Sequence, residues 1–168
     1  MAAGSTYTPI AKSTVSGTTT ATVTFSSIAG TYTDLIIVAN GSITVNDDTY
    51  VQFNGSGGTA YAGAYMAGNG SAASSGKYTL NDSIVSDYTS YPNTTAGNWT
   101  AIYHFMSYAN TSIYKTCLIR SNNAAIGTNL SVHTWASTAA ITSIALKTQG
   151  TPKWGNGTTF TLYGIAAA

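Results

Sequence analysis

The sequence predicts an all-β fold, an antiparallel β-sandwich of jelly-roll type with about eight or nine strands. Three observations carry this expectation. Charged residues make up only 7% of the 168 residues, against about 25% in ordinary soluble domains. Glu is absent, and with Lys, Arg, Leu and Gln also scarce the chain lacks the usual helix formers. Runs rich in Thr, Val, Ile and Tyr recur along the chain, separated by Gly, Asn and Pro, as strands and turns require.

TATVTFSSI (20–28) alternates, with Ala21, Val23 and Phe25 on one side and Thr22 and Thr24 on the other. DLIIVAN (34–40) is continuously apolar and reads as a strand covered on both faces. TYVQFNG (49–55) alternates and stops at Asn54-Gly55, a strong turn dipeptide. Residues 56–76 are rich in Gly and small side chains and hold one weak strand over 60–66 before a loop. Residues 77–98 are irregular. Strands follow at 100–108, 113–120, 130–136, 140–147 and 158–165. No linker, heptad pattern or repeat divides the chain. The expected organisation is an extended N-terminal arm over 1–13 and one sandwich over 14–168.

The net charge of +1, with no basic or acidic block, speaks against nucleic acid or an anionic membrane as partner. The longest apolar run is far below the ~20 residues that span a bilayer, so no membrane insertion is expected. MAAGSTYTPIAKS lacks the cationic start and apolar run of a signal peptide. Synthesis in a cytoplasm is the expectation. A single Cys leaves no intramolecular disulfide.

The segment TAIYHFMSYANTSIYKTCLIR (100–120) is where chemistry would be sought, since it holds His104, Cys117 and the only Arg. A hairpin ending at Tyr108 and Ile113 sets His104 opposite Cys117, Met106 opposite Lys115 and Ile102 opposite Ile119. A Cys–His pair is the minimum of a thiol nucleophile and its base. Its neighbours Ile102, Met106 and Ile119 favour packing instead, and no third group or oxyanion hole is evident. A three-residue loop would move the pairing by one. His133 shares a parity with Trp135, and two His without a further ligand make a weak zinc signal. Asp34 opens a strand and reads as turn chemistry. Asp47 and Asp48 are adjacent and lack the dense spacing of a calcium loop; with Asp82 and Asp87 they form no visible catalytic pair. GSGG (55–58) and GNG (68–70) carry no Lys of a phosphate loop. The chain is therefore expected not to be an enzyme and to need no cofactor or metal. Tyr88, Tyr91, Trp99 and Trp154 lie in or beside expected loops, as recognition aromatics or as caps on the ends of the sandwich.

YTPIA (7–11), VTFSSI (23–28), YTDLIIV (32–38), QFNG (52–55), GNGS (68–71), HFMSYANTSIYKT (104–116), STAAITSIAL (137–146) and FTLYGI (160–165), in that order, resemble a family of virion proteins of tailed bacteriophages, chiefly phages of cyanobacteria and other aquatic hosts. The resemblance implies a jelly-roll-like domain that often forms a homotrimer and is displayed on the particle exterior. It brings no catalytic residues. It leads to the expectation of a capsid decoration or cement protein bound to the major capsid protein or another virion protein. The arm, with Tyr7, Pro9 and Ile10, would grip the capsid or a neighbouring subunit. The alternative is a tail-fibre tip that recognises host surface glycan through the loop aromatics. A remote alternative is an envelope polysaccharide hydrolase, which would need an Asp pair.

Overall fold

The computed structural model describes residues 6–17, 19–44, 48–58, 60–86, 97–148 and 154–166. Twelve strands lie among them: β1 (Tyr7–Thr14), β2 (Thr22–Phe25), β3 (Asp34–Gly41), β4 (Thr49–Phe53), β5 (Tyr61–Gly68), β6 (Ala73–Asn81), β7 (Ile84–Val85), β8 (Trp99–Met106), β9 (Lys115–Asn123), β10 (Gly127–Trp135), β11 (Ile144–Thr148) and β12 (Thr159–Ile165). All paired strands run antiparallel. They form an eight-stranded sheet, β1-β12-β3-β8-β9-β10-β5-β6, and a four-stranded sheet, β2-β11-β4-β7. The chain is an all-β antiparallel sandwich, as its composition and alternation require.

Several expectations about individual elements change. Residues 7–13 are not a free arm: as β1 they pair with β12 and form one edge of the large sheet. Residues 73–81, read as loop and irregular chain, form the opposite edge. Small side chains hide an edge strand from sequence reading, because an exposed edge needs no apolar alternation. The strand expected at 140–147 begins only at Ile144. Ahead of it, Asn54 holds the chain. Its side chain accepts from the Thr142 and Ser143 amides at 2.8 and 3.0 Å and donates to the Ala140 carbonyl at 2.8 Å. Asn54 and Gly55 both have positive φ, 53° and 65°, as their turn chemistry predicts. β3 is covered on both faces only in part, since Ile36 on the outer side is buried at 6% exposure. Leu35 and Ile37 face the core fully buried, whereas Val38 on the outer side is half-buried.

The core lies between the sheets. Leu35 and Ile37 of β3, Tyr103 and Phe105 of β8 and Leu162 of β12 meet Phe25, Val51, Phe53, Ile144 and Leu146 of the small sheet. Phe53 is the central contact. Its ring lies 5.4 Å from Phe105, 5.5 Å from Trp135 and 5.9 Å from Tyr61, and the Tyr61 hydroxyl accepts the Phe53 amide N–H at 3.0 Å. At another point of the core Trp154 packs on Phe160 at 5.0 Å and on Trp99 at 5.8 Å.

Phe53→Ala removes the ring that joins the sheets. The expected loss is about 3–5 kcal/mol, a large share of a typical total of about 5–15 kcal/mol. Urea unfolding of the variant checks it, and a loss under about 1 kcal/mol would mean that Phe53 does not join the sheets.

Candidate functional site

The observed β8–β9 register differs by one residue from the hairpin expected. Phe105, not His104, opposes Cys117, and His104 opposes Leu118. One step in register turns a side chain to the other face, so His104 and Cys117 lie on opposite faces of the large sheet. Met106 opposes Thr116, and Ile119 opposes Tyr103.

On the outer face, His104 Nε2 lies 2.8 Å from Asp34 Oδ2. The other Asp34 oxygen accepts the Ser107 amide at 2.8 Å. Ser107 has φ of 50°, so Asp34 ties a strained turn to the strand beside it. This makes Asp34 a structural clamp.

On the inner face, Cys117 opposes His133 of β10. Burial pushes the Cys117 thiol well above its usual range, which removes the thiolate a nucleophile needs. Burial lowers His133 to about 4, so its imidazole is neutral near pH 7. His133 stacks on Tyr78 with ring centres 5.9 Å apart. Among the described residues its Nε2 has no hydrogen-bond partner, so no third group orients it through that atom. Among the described residues no group of three or more His, Cys, Asp or Glu could hold a metal ion. Asp48 accepts from the Tyr50 hydroxyl and Asp82 from the Ser83 hydroxyl. Asp47 and Asp87 lie outside the described residues.

The aromatic candidates divide. Trp99 and Trp154, read from sequence either as recognition aromatics or as caps on the ends of the sandwich, are 2% and 0% exposed. Their indoles pack together because β8 begins at Trp99 and the Trp154 backbone bridges to Ile43. They belong to the core. Tyr88 and Tyr91 lie outside the described residues. Of the proposed arm contacts, Tyr7 is 52% exposed with its ring edge-on to Tyr163. Pro9 opposes Tyr163, and Ile10 occupies the irregularity between Pro9 and Ala11.

The feature that sequence reading missed is the polarity of β10. Asn129, Ser131 and His133 point inward and are buried, while Leu130 and Val132 point outward at 40% and 48% exposure. The usual arrangement is inverted over the middle of this strand. Ser121 of β9 opposes Asn129 and is buried too. Among the described residues the side-chain polar atoms of Ser121, Asn129 and Ser131 have no hydrogen-bond partner, an uncommon and costly condition. Outside, Val132 lies beside Leu118 and Ala64, and Leu130 lies beside Arg120 and Met66. Met66 is 58% exposed. Ala64, Met66, Leu130, Val132, Gly76 and Lys77 line a shallow groove of about 600 Å³. The signal was present as alternation in LSVHT, but both of its faces mix polar and apolar residues, so alternation alone does not say which face is inside.

No family model matches the chain, and no curated protein matches its sequence. Solved structures give distant likenesses. A galectin of Caenorhabditis elegans, LEC-6, is 11% identical, with 92% of this chain and 90% of that chain covered and a TM-score of 0.31. A mutant of the alginate lyase Aly36B in complex with an alginate tetrasaccharide is 10% identical, with 82% and 72% covered and a TM-score of 0.29. Likenesses this distant carry no argument about chemistry.

The burial of the inner face can be measured in two ways. The unfolded chain protonates His133 near pH 6.5, whereas the fold keeps it neutral down to about 4. Its stabilising contribution is complete above pH 6.5 and is lost as the pH falls towards 4, by about 3 kcal/mol. Urea unfolding at pH 7 and pH 4 should show that loss in the wild type and a smaller one in His133→Leu. Equal losses would place His133 in contact with water. Cys117 should not react with Ellman's reagent in the folded protein and should react fully in guanidinium. Rapid reaction of the native protein would contradict its burial.

Proposed function

We propose that the chain is a structural protein of a phage particle, a capsid decoration or cement protein that lies on the outer capsid surface and stabilises it. The observation that carries this reading is the inverted polarity of β10. An outward stripe of Leu130, Val132 and Met66, each about half exposed, forgoes about half of the roughly 1.5–3 kcal/mol that full burial gives such a side chain. Contact with another surface recovers it. A cement protein is held by many weak contacts over a broad area, and an exposed sheet face suits that better than a deep pocket does. The low charge of the chain makes such contacts insensitive to salt. The order of segments that resembles phage virion proteins supports the same reading. The partner in this proposal is the major capsid protein or another virion protein, together with further copies of the chain itself.

The reading includes no catalytic activity. His104 and Cys117 face opposite ways, and Asp34 is committed to His104 and Ser107. The fibre-tip alternative loses two of its four recognition aromatics, since Trp99 and Trp154 are buried.

Gold-labelled antibody against the chain, viewed on intact virions by electron microscopy, tests the proposal. Label over the head is expected; label confined to the tail or its tip overturns it in favour of adhesion. Val132→Glu combined with Leu130→Glu should leave the circular dichroism spectrum unchanged and weaken binding to capsids lacking the protein by about tenfold or more. Undiminished binding would remove the outer face from the contact.

A further inference from the structure

The two edges of the eight-stranded sheet are built differently. β1 contains Pro9, which has no N–H, and shifts register between Pro9 and Ala11. These are devices by which an edge refuses another strand. β6 contains no proline. From Tyr78 opposite Gly63 to Ala73 opposite Gly68 its ladder to β5 runs without a shift. Its side chains over residues 73–79 are exposed, apart from the half-buried Gly76 and Tyr78. Among the described residues no strand pairs with its outer edge. A regular, unpaired strand edge is a ready template for a further strand.

We propose that β6 pairs antiparallel with β6 of a second copy, about a two-fold axis that passes through the sheet at Gly76. The two large sheets then become one. The register follows from parity and charge. Directly opposed residues share a face, so outward residues must oppose outward residues. Ser75 and Lys77 point outward, paired with Met66 and Ala64 on β5. With Gly76 at the axis, Lys77 opposes Ser75 of the partner subunit, Tyr78 opposes Ser74 of the partner subunit, and no like charges meet. Centring on Lys77 would set two ammonium groups face to face, which is destabilising. Centring on Ser75 would pair only residues 73–77. A net charge of +1 per chain adds little long-range repulsion between copies.

The groove beside β6 supports the same occupant. Lys77 and Gly76 belong to its lining along with Met66, Leu130 and Val132, so the pairing edge and the exposed apolar stripe are continuous. The two-fold axis brings both grooves out on the same side of the joined sheet. The pairing is independent of where the chain is displayed.

Sedimentation velocity of the purified chain at neutral pH and low salt tests it. The wild type is expected to dimerise at micromolar concentration. Ser75→Lys places like charges opposite each other twice across the axis and should raise the dimer dissociation constant roughly tenfold. Adding Lys77→Glu to that variant should restore the dimer, because each new Lys then faces a Glu. A wild type that stays monomeric, forms a trimer, or is unaffected by Ser75→Lys overturns the proposal. A second variant guards against misfolding. Ser75→Cys with Lys77→Cys should, on oxidation, give a covalent dimer linked between positions 75 and 77, the native Cys117 being buried at 1% exposure. Absence of that link in the folded protein counts equally against the pairing.

Discussion

A sheet of eight strands packed against a sheet of four sets the terms for the rest of the molecule. Phe53 of the small sheet reaches Phe105, Trp135 and Tyr61 of the large one, and the main core forms around that contact. The small sheet has too few strands to give every inward residue of the large sheet an apolar partner. A second, separate cluster of Tyr65 and Ala67, with Tyr78 and Ile126 against it, occupies the β5 and β6 side. Between the two clusters runs the buried polar stripe of Ser121, Asn129 and Ser131.

That stripe explains why the outer face bears so much apolar surface. Successive residues of a strand must point to opposite faces. Once Asn129, Ser131 and His133 face inward, Leu130 and Val132 have no choice but to face outward. The same alternation carries Ile102, Leu118 and Met66 to the outer side of neighbouring strands. The result is a domain that buries polar groups at some cost and exposes groups that water does not favour. Such a domain gains from assembly more than one with conventional polarity would.

Low charge acts in the same direction. Asp34, 2.8 Å from His104 Nε2, also accepts the Ser107 amide and so clamps that turn. Lys115 is fully buried, and its ammonium donates to the carbonyls of Ile113 and Thr138 at 2.8 and 3.1 Å. Little charge is left to hold neighbouring surfaces apart. Protection against unwanted pairing falls to local devices, such as Pro9 and the register shift beside it on β1. The two edges differ in that β1 carries Pro9 within its ladder, whereas β6 contains no proline.

Fold class and most of the strands are legible in the order of residues alone. Absent helix formers, alternating runs and Asn-Gly turns act locally, within a few residues, and can be read without the fold. The strands at 34–40, 49–53 and 159–165 were legible in this way. Which face of each strand lies inside was settled by the packing of the two sheets. His104 and Cys117 were one register step from being neighbours, and that step depends on the shape of the turn at Ser107, which Asp34 holds from 73 residues away. Trp99 and Trp154 looked exposed because their neighbours in sequence are loop-like, yet strand pairing closes the core over them. The outward stripe on β10 was written as alternation, but an alternating strand with mixed polarity on both sides has two readings. Only the partner sheet, by burying one face, chooses between them.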